Sequence, residues 1–268
     1  MKIVCIHNKK IILFFIIFII ILLLFLGLFI FLKSNSNASI EDSPKCKEEC
    51  YDIDNKNYDD FLIEQYKAKK LMALTFDDGP SKYTDFLVYA LSERNVPATF
   101  FIIGDNVVKY GSSLEKEKNA NCEIGIHSFV HKLFTRLKDE EIKEQIDSTK
   151  LAILSETDTN IKLIRVPYGS TSKRVESVIS SCNLTSVLWD IDSYDWKFRN
   201  TDKVYDYVLK RVKGNQIILM HDTYKTSVDA ALRLVDTLKD NCYTFVTVSK
   251  LLEIKDLVNN EKTESGTN

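Results

Sequence analysis

The chain has 268 residues, 36 Lys+Arg against 38 Asp+Glu and a net charge of -2, the size of one domain or two small ones. That charge balance excludes the strongly basic footprint of a nucleic-acid binder. Only 4 prolines and 8 glycines exclude a collagen-like or turn-repeat protein, and nothing in the pattern predicts an obligate protein partner.

Residues 1–10 form a basic N-terminus with Lys2, Lys9 and Lys10. Residues 11–32 carry no charge and no polar side chain, and only Gly27 breaks the run. At 1.5 Å per residue such a run spans a hydrocarbon core of about 30 Å. The lysines ahead of it keep the N-terminus cytoplasmic. The expectation is a transmembrane signal anchor at residues 11–32, with the membrane as a partner. The protein then reads as type II, its catalytic domain extracellular or lumenal. Cleavage at Ser36-Asn37-Ala38 would release the same domain as a secreted protein.

Residues 33–68 read as a polar stalk and N-terminal extension with one short amphipathic turn at Phe61 and Leu62. Five cysteines follow the apolar run: Cys46, Cys50, Cys122, Cys182 and Cys242. Disulfides are permitted outside the cytoplasm, and an odd count leaves one thiol over. Asn37-Ala38-Ser39 and Asn183-Leu184-Thr185 are glycosylation acceptors in a host that glycosylates.

From Lys69 the pattern alternates short apolar runs with amphipathic stretches. The runs are 71–76, 98–103, 123–126, 162–166, 186–191, 216–220 and 243–248. Helices are expected over 84–93, 105–118, 139–155, 172–180, 202–212, 227–239 and 249–258. Residues 69–258 therefore read as an α/β domain of about seven parallel β/α units, and residues 259–268 as a disordered tail. Counting leaves two closures, an open doubly wound sheet or a barrel. Reactive side chains stand at the ends of several different strands, which favours a (β/α) barrel.

Those side chains are few. Asp77 and Asp78 end the first run, and adjacent residues of an extended chain point opposite ways, so the two carboxylates are open to two roles. His127 and His131 stand four apart and with Asp78 form a His2Asp set that leaves a position for water or substrate. Arg165 ends another run before Pro167-Tyr168-Gly169 and is placed to pin a carboxylate. His221 follows Leu219-Met220 and is a candidate proton donor, while Asp195-Trp196 offers a carboxylate partner and an aromatic wall. Plain structural readings stand beside these: solvated aspartates in a turn, unrelated histidines, a surface arginine, a core tryptophan.

At these residues the chain resembles the NodB-homology polysaccharide deacetylases, carbohydrate esterase family 4. Five blocks occur in family order: Thr75–Pro80, His127–His131, Arg165–Gly169, Asp192–Trp196 and Leu219–His221. The resemblance implies a distorted, often incomplete barrel that removes acetyl groups from an N-acetylglucosamine-containing polysaccharide. It implies Asp77 as general base, and Asp78, His127 and His131 as ligands of one divalent metal ion, Zn2+. Arg165 then orients Asp77, and the Tyr168 N–H joins the metal in an oxyanion hole. His221 becomes the general acid tuned by Asp195, Trp196 and Leu219 line the acetyl pocket, and Thr75 and Ser128 support the site. Ile126, where the family commonly has Asn, and Asn121-Cys122, where Gly-His is frequent, depart from the pattern.

The cysteines and glycosylation acceptors lean the substrate toward chitin over peptidoglycan. Two other readings are a silent carbohydrate-binding surface protein and an amidohydrolase for a non-carbohydrate amide.

Overall fold

The computed structural model describes residues 55–265. Eight strands make one sheet: β1 (Leu71–Gly79), β2 (Thr99–Ile102), β3 (Glu123–Ile126), β4 (Leu163–Ile164), β5 (Thr185–Ser186), β6 (Ile191–Asp192), β7 (Gln216–His221) and β8 (Thr244–Phe245). The helices are α1 (Asn55–Lys67), α2 (Thr84–Ser92), α3 (Gly104–Tyr110), α4 (Ser112–Asn119), α5 (Asp139–Glu156), α6 (Lys173–Ser181), α7 (Asp195–Phe198), α8 (Thr201–Leu209), α9 (Lys225–Asp240) and α10 (Val248–Ser265).

All strand pairs are parallel, in the order β5-β4-β3-β2-β1-β7-β6. β1 pairs with β7 along Met72–Asp77. Its other edge takes β8 at Leu71 and Met72 and β2 from Thr75.

The period of two along each strand builds the interior. Met72, Leu74, Phe76, Ile124, Ile126, Ile164, Ile218 and Met220 join the core beneath the outer helices. Leu71, Ala73, Phe101, Leu163 and Ile217 face the other way and share an apolar floor with Leu62, Leu251, Ile254 and Val258 of α1 and α10. Continuing that inward file up the strands leads to Thr75, Asp77, His127, Arg165, Leu219 and His221. An apolar floor with polar groups above it follows from alternation alone.

The result is a distorted parallel β/α half-barrel, open between β5 and β6. The expected strand over 186–191 is two strands on opposite edges. Val187 N–H still bonds to Ile164 O (2.9 Å) and Asp190 N–H already bonds to Ile217 O (2.9 Å), so Leu188 and Trp189 cross the gap. Arg165 spans it from inside: Nε donates to Val187 O (3.2 Å) and Nη2 to Leu188 O (2.9 Å), in place of the missing ladder. The last helix continues to Ser265 and a full helix occupies Asn55–Lys67, where the pattern gave a short turn.

The transmembrane helix expected ahead of the barrel requires correction. Among the described residues no helix is long and apolar enough to cross a membrane. The two longest, α5 and α10 at 18 residues, each bury one stripe and carry charges on the opposite side. The apolar run at residues 11–32 lies outside the described residues. The membrane as partner and the type II localisation, which both rested on that run, are therefore not supported by the fold. Cys242 is disulfide-bonded, whereas Cys122 and Cys182 are free. Burial pushes the Cys122 thiol up to about 12, which makes it inert.

Glu117 of α4 is fully buried, and neither carboxyl oxygen has a hydrogen-bond partner among the described residues. Burial first, then the negative charges of Asp222 and Asp85, holds this carboxyl well above its ordinary range. A folded-state value above the unfolded one leaves stability intact at acid pH and erodes it as pH rises, by up to about tenfold in the unfolding equilibrium per pH unit. Glu117→Gln should therefore match the wild type near pH 4 and be the more stable protein at pH 8. Urea unfolding at both values checks this; equal stability at pH 8 would contradict it.

Candidate active site

Asp77 and Asp78 do not point opposite ways, as an extended strand end would have them. The β1–β2 register shifts between Asp77 and Gly79, and Asp78 has a φ of 69°. This left-handed bulge turns the second carboxylate toward the first, and both line one cavity of about 370 Å³. His127, His131, Tyr168, Trp196, Leu219 and His221 line it as well. Arg165 and Asp195 lie fully buried beside it. Folding thus gathers ten candidates from five separate segments.

The metal candidates sit closest. Asp78 Oδ1 is 3.5 Å from His127 Nε2 and 3.4 Å from His131 Nε2. One ligand atom from each residue lies within 4.8 Å of the others. His127 Nδ1 is 2.7 Å from Arg165 O. A carbonyl only accepts, so Nδ1 carries the proton and Nε2 turns its lone pair inward. Burial holds His131 below the ordinary imidazole range against the pull of Asp78, which keeps it neutral. Asp78 Oδ1 is buried without a hydrogen bond. Three electron-pair donors facing one point, one of them a buried acceptor with no donor, fit a divalent cation such as zinc.

Asp77 is the base candidate. Its Oδ1 accepts from Arg165 Nη1 at 2.8 Å, while Oδ2 lies 3.7 Å from His127 Nε2. Arg165 Nη1 also donates to Thr75 Oγ1 (2.7 Å), which in turn donates to Ile218 O (2.7 Å). The guanidinium lies 4.2 Å from the centre of the Phe101 ring and 5.6 Å from that of Trp189. Arg165 thereby holds Asp77 with its side chain and orients His127 with its carbonyl, the second being a role the sequence did not indicate.

Across the cavity, His221 Nδ1 is 2.8 Å from Asp195 Oδ1, and the His221 N–H donates to Asp195 Oδ2 at 2.8 Å. Burial alone would lower the imidazole. The Asp195 hydrogen bond and charge, with Asp77 and Asp78 behind them, outweigh it and push His221 up to about 9. Burial would likewise raise Asp195, and the His221 hydrogen bond overrides it, leaving this carboxyl below its ordinary range. His221 therefore carries a proton at neutral pH. Asp222, its sequence neighbour, turns away to Thr84, and burial pushes it up to about 7.

Tyr168 (φ 62°) sets its ring edge-on to His131, 4.5 Å between centroids, and remains 67% exposed; Trp196 is 48% exposed. Both aromatics line the cavity and are exposed rather than part of the core. The sequence reading did not assign Trp189 or Asp192 to the site, yet both line it. Asp192 stands at the head of the Asp192–Trp196 block, which was the available signal, and accepts the Tyr194 N–H at 2.8 Å. Ile126 is fully buried in the core, and Ser128 Oγ finds no hydrogen-bond partner among the described residues.

Comparison with known proteins adds to this geometry. Residues 64–187 match the polysaccharide deacetylase family model. The chain is 37% identical over 188 residues to the peptidoglycan-N-acetylmuramic acid deacetylase PdaC of Bacillus subtilis, covering 70% of this chain and 40% of that one. It is 34% identical over 190 residues to the peptidoglycan-N-acetylglucosamine deacetylase PgdA of Listeria monocytogenes, again 70% and 40%. Chitin deacetylase 1 of Saccharomyces cerevisiae is 31% identical over 197 residues, covering 71% and 62%. The chain thus spans about 40% of the length of the first two relatives. The solved PdaC structure overlays with a TM-score of 0.70 at 35% identity, over 75% of this chain and 98% of that one. With nearly all of that solved domain matched and the site residues in place, the chain belongs to the polysaccharide deacetylase family, carbohydrate esterase family 4.

Proposed function

We propose that this protein hydrolyses the N-acetyl group of N-acetylglucosamine units in a polysaccharide, releasing acetate and leaving a free amine. The observation that carries the reading is one cavity holding a carboxylate pinned by buried Arg165, a His2Asp metal set, and a protonated histidine backed by Asp195. A binding module needs none of the proton-transfer pair.

Asp78, His127 and His131 would hold the metal, which supplies Lewis acidity toward a water and the acetamide carbonyl when bound. Asp77, held in place by Arg165, takes a proton from the attacking water. The Tyr168 N–H stabilises charge developing on the carbonyl oxygen. His221 delivers its proton to the departing sugar nitrogen, and Asp195 stabilises the imidazolium until it does. Leu219 and Trp196 accept the acetyl methyl.

The catalytic residues touch the acetamide and not the rest of the polymer. Chitin, toward which the cysteines and glycosylation acceptors lean, and peptidoglycan both present that group. Acetate release by the purified protein, measured side by side on chitin oligomers, peptidoglycan and acetylxylan, ranks the substrates, with chitin expected first. No acetate from any of them would end the deacetylase reading. Metal analysis of the same preparation should find about one equivalent of zinc. Asp78→Ala, His127→Ala and His131→Ala should each lose it, and full retention in all three would remove the metal assignment.

A further inference from the structure

The two histidines of the metal set are held in different ways. His127 follows directly from β3 and is fixed by its ring bond to Arg165 O. His131 stands four residues further along a turn in which Ser128 (φ 69°) and His131 itself (φ 54°) are both left-handed. Residues other than glycine resist that conformation, so the turn needs outside support.

The support comes from two helices. At the start of α3, the Gly104 N–H donates to Ser128 O (3.1 Å) and the Asp105 N–H to Phe129 O (2.9 Å). From α5, Gln145 Oε1 accepts both the Phe129 N–H (3.2 Å) and the Val130 N–H (3.1 Å). Gln145 is 9% exposed. A Cβ on Gly104 would stand 2.4 Å from the Phe129 ring, so the turn is packed tightly against α3. Both lone pairs of one side-chain oxygen are used on the two N–H groups midway between the histidines. A side chain without an acceptor at this reach leaves both without a partner.

We infer that Gln145 is a positioning residue of the metal set: by holding the Phe129–Val130 backbone it keeps His131 facing Asp78 and His127. The inference rests on the metal site proposed above and concerns its affinity. His127 is anchored independently, so the loss should fall on His131, leaving a two-ligand site.

The test uses the purified full chain, zinc ions with a competing chelator, and two variants. Gln145→Met keeps the length and removes the acceptor; Gln145→Glu keeps an acceptor. Gln145→Met should weaken zinc binding about 10–100-fold, as loss of a group that orients a ligand typically does. Its metal-free form should still unfold cooperatively, and turnover should recover as zinc is raised to saturation. Gln145→Glu should bind zinc within about threefold of the wild type, well short of the loss expected for Gln145→Met. Wild-type affinity in a folded Gln145→Met protein overturns the inference while leaving the metal site standing. If Gln145→Met does not fold, Gln145→Glu decides, and a loss beyond about tenfold there overturns it. A wild-type protein that binds no zinc removes the metal site and this inference together.

Discussion

Asp77→Asn and His221→Ala should each lower turnover by about 100-fold or more while leaving zinc content near that of the wild type. Asp77 is held by Arg165 and His221 by Asp195, whereas Asp78, His127 and His131 form the metal set. The two proton-transfer groups are thus separable from the metal in a way the ligands are not. The base works ionised and the acid protonated, so the rate should rise and then fall with pH. The alkaline limb belongs to His221. A cation beside Asp78 offsets part of that carboxylate's pull, so in the loaded enzyme the limb lies below the value of about 9 that Asp195, Asp77 and Asp78 set together. Asp195→Asn removes the largest support of the protonated ring and should move the limb down by about 1–3 pH units. Zinc analysis, melting and pH–rate profiles on the same preparations check all three variants. Near-normal turnover in either of the first two removes that residue from the mechanism.

Arg165→Met should be the most damaging substitution to the fold among the site residues. The guanidinium is fully buried, pairs with Asp77, and bonds to Thr75 and two carbonyls across the β5–β6 opening. Methionine fills similar space but leaves a buried carboxylate without its cation, which typically costs about 3–5 kcal/mol. For a domain of this size that is a fall in melting temperature of about 6–20 °C. Arg165→Lys restores a cation without the planar fan of donors, so its melting temperature should fall between the two. A methionine variant melting within about 2 °C of the wild type would show that the opening is held by other contacts.

The parts of this molecule legible in the sequence are those in which one residue's chemistry meets one strand's period. β1 and β7 read as apolar runs ending in Asp77 and His221, and their alternation places both groups inward. Five motif blocks marked residues that the fold gathers in or beside one cavity, because each block carries a reactive or aromatic side chain. Contacts made by the chain as a whole were harder to read. The run at 186–191 has uniform β character, and only the barrel's geometry divides it between opposite edges. Nothing in Asp77-Asp78 announces a bulge, since aspartate suits a strand end and a left-handed turn equally. Gln145 was invisible for another reason: it acts on backbone N–H groups, which carry no residue identity. The transmembrane reading rested on hydropathy at residues 11–32, outside the described fold.

The bulge at Asp78 also bears on how such a site would decay and return over evolutionary time. Its left-handed backbone admits few residues, and asparagine is the one that keeps both the turn and the side-chain volume. Aspartate and asparagine codons differ by a single transition. The shortest mutational path away from this carboxylate therefore leaves the position folded and uncharged, and the same base change reversed restores it. Replacement by leucine or valine would instead have to rebuild the end of β1. Among descendants of this chain, variation at position 78 should run between those two residues, making the loss of this member of the metal set a reversible step.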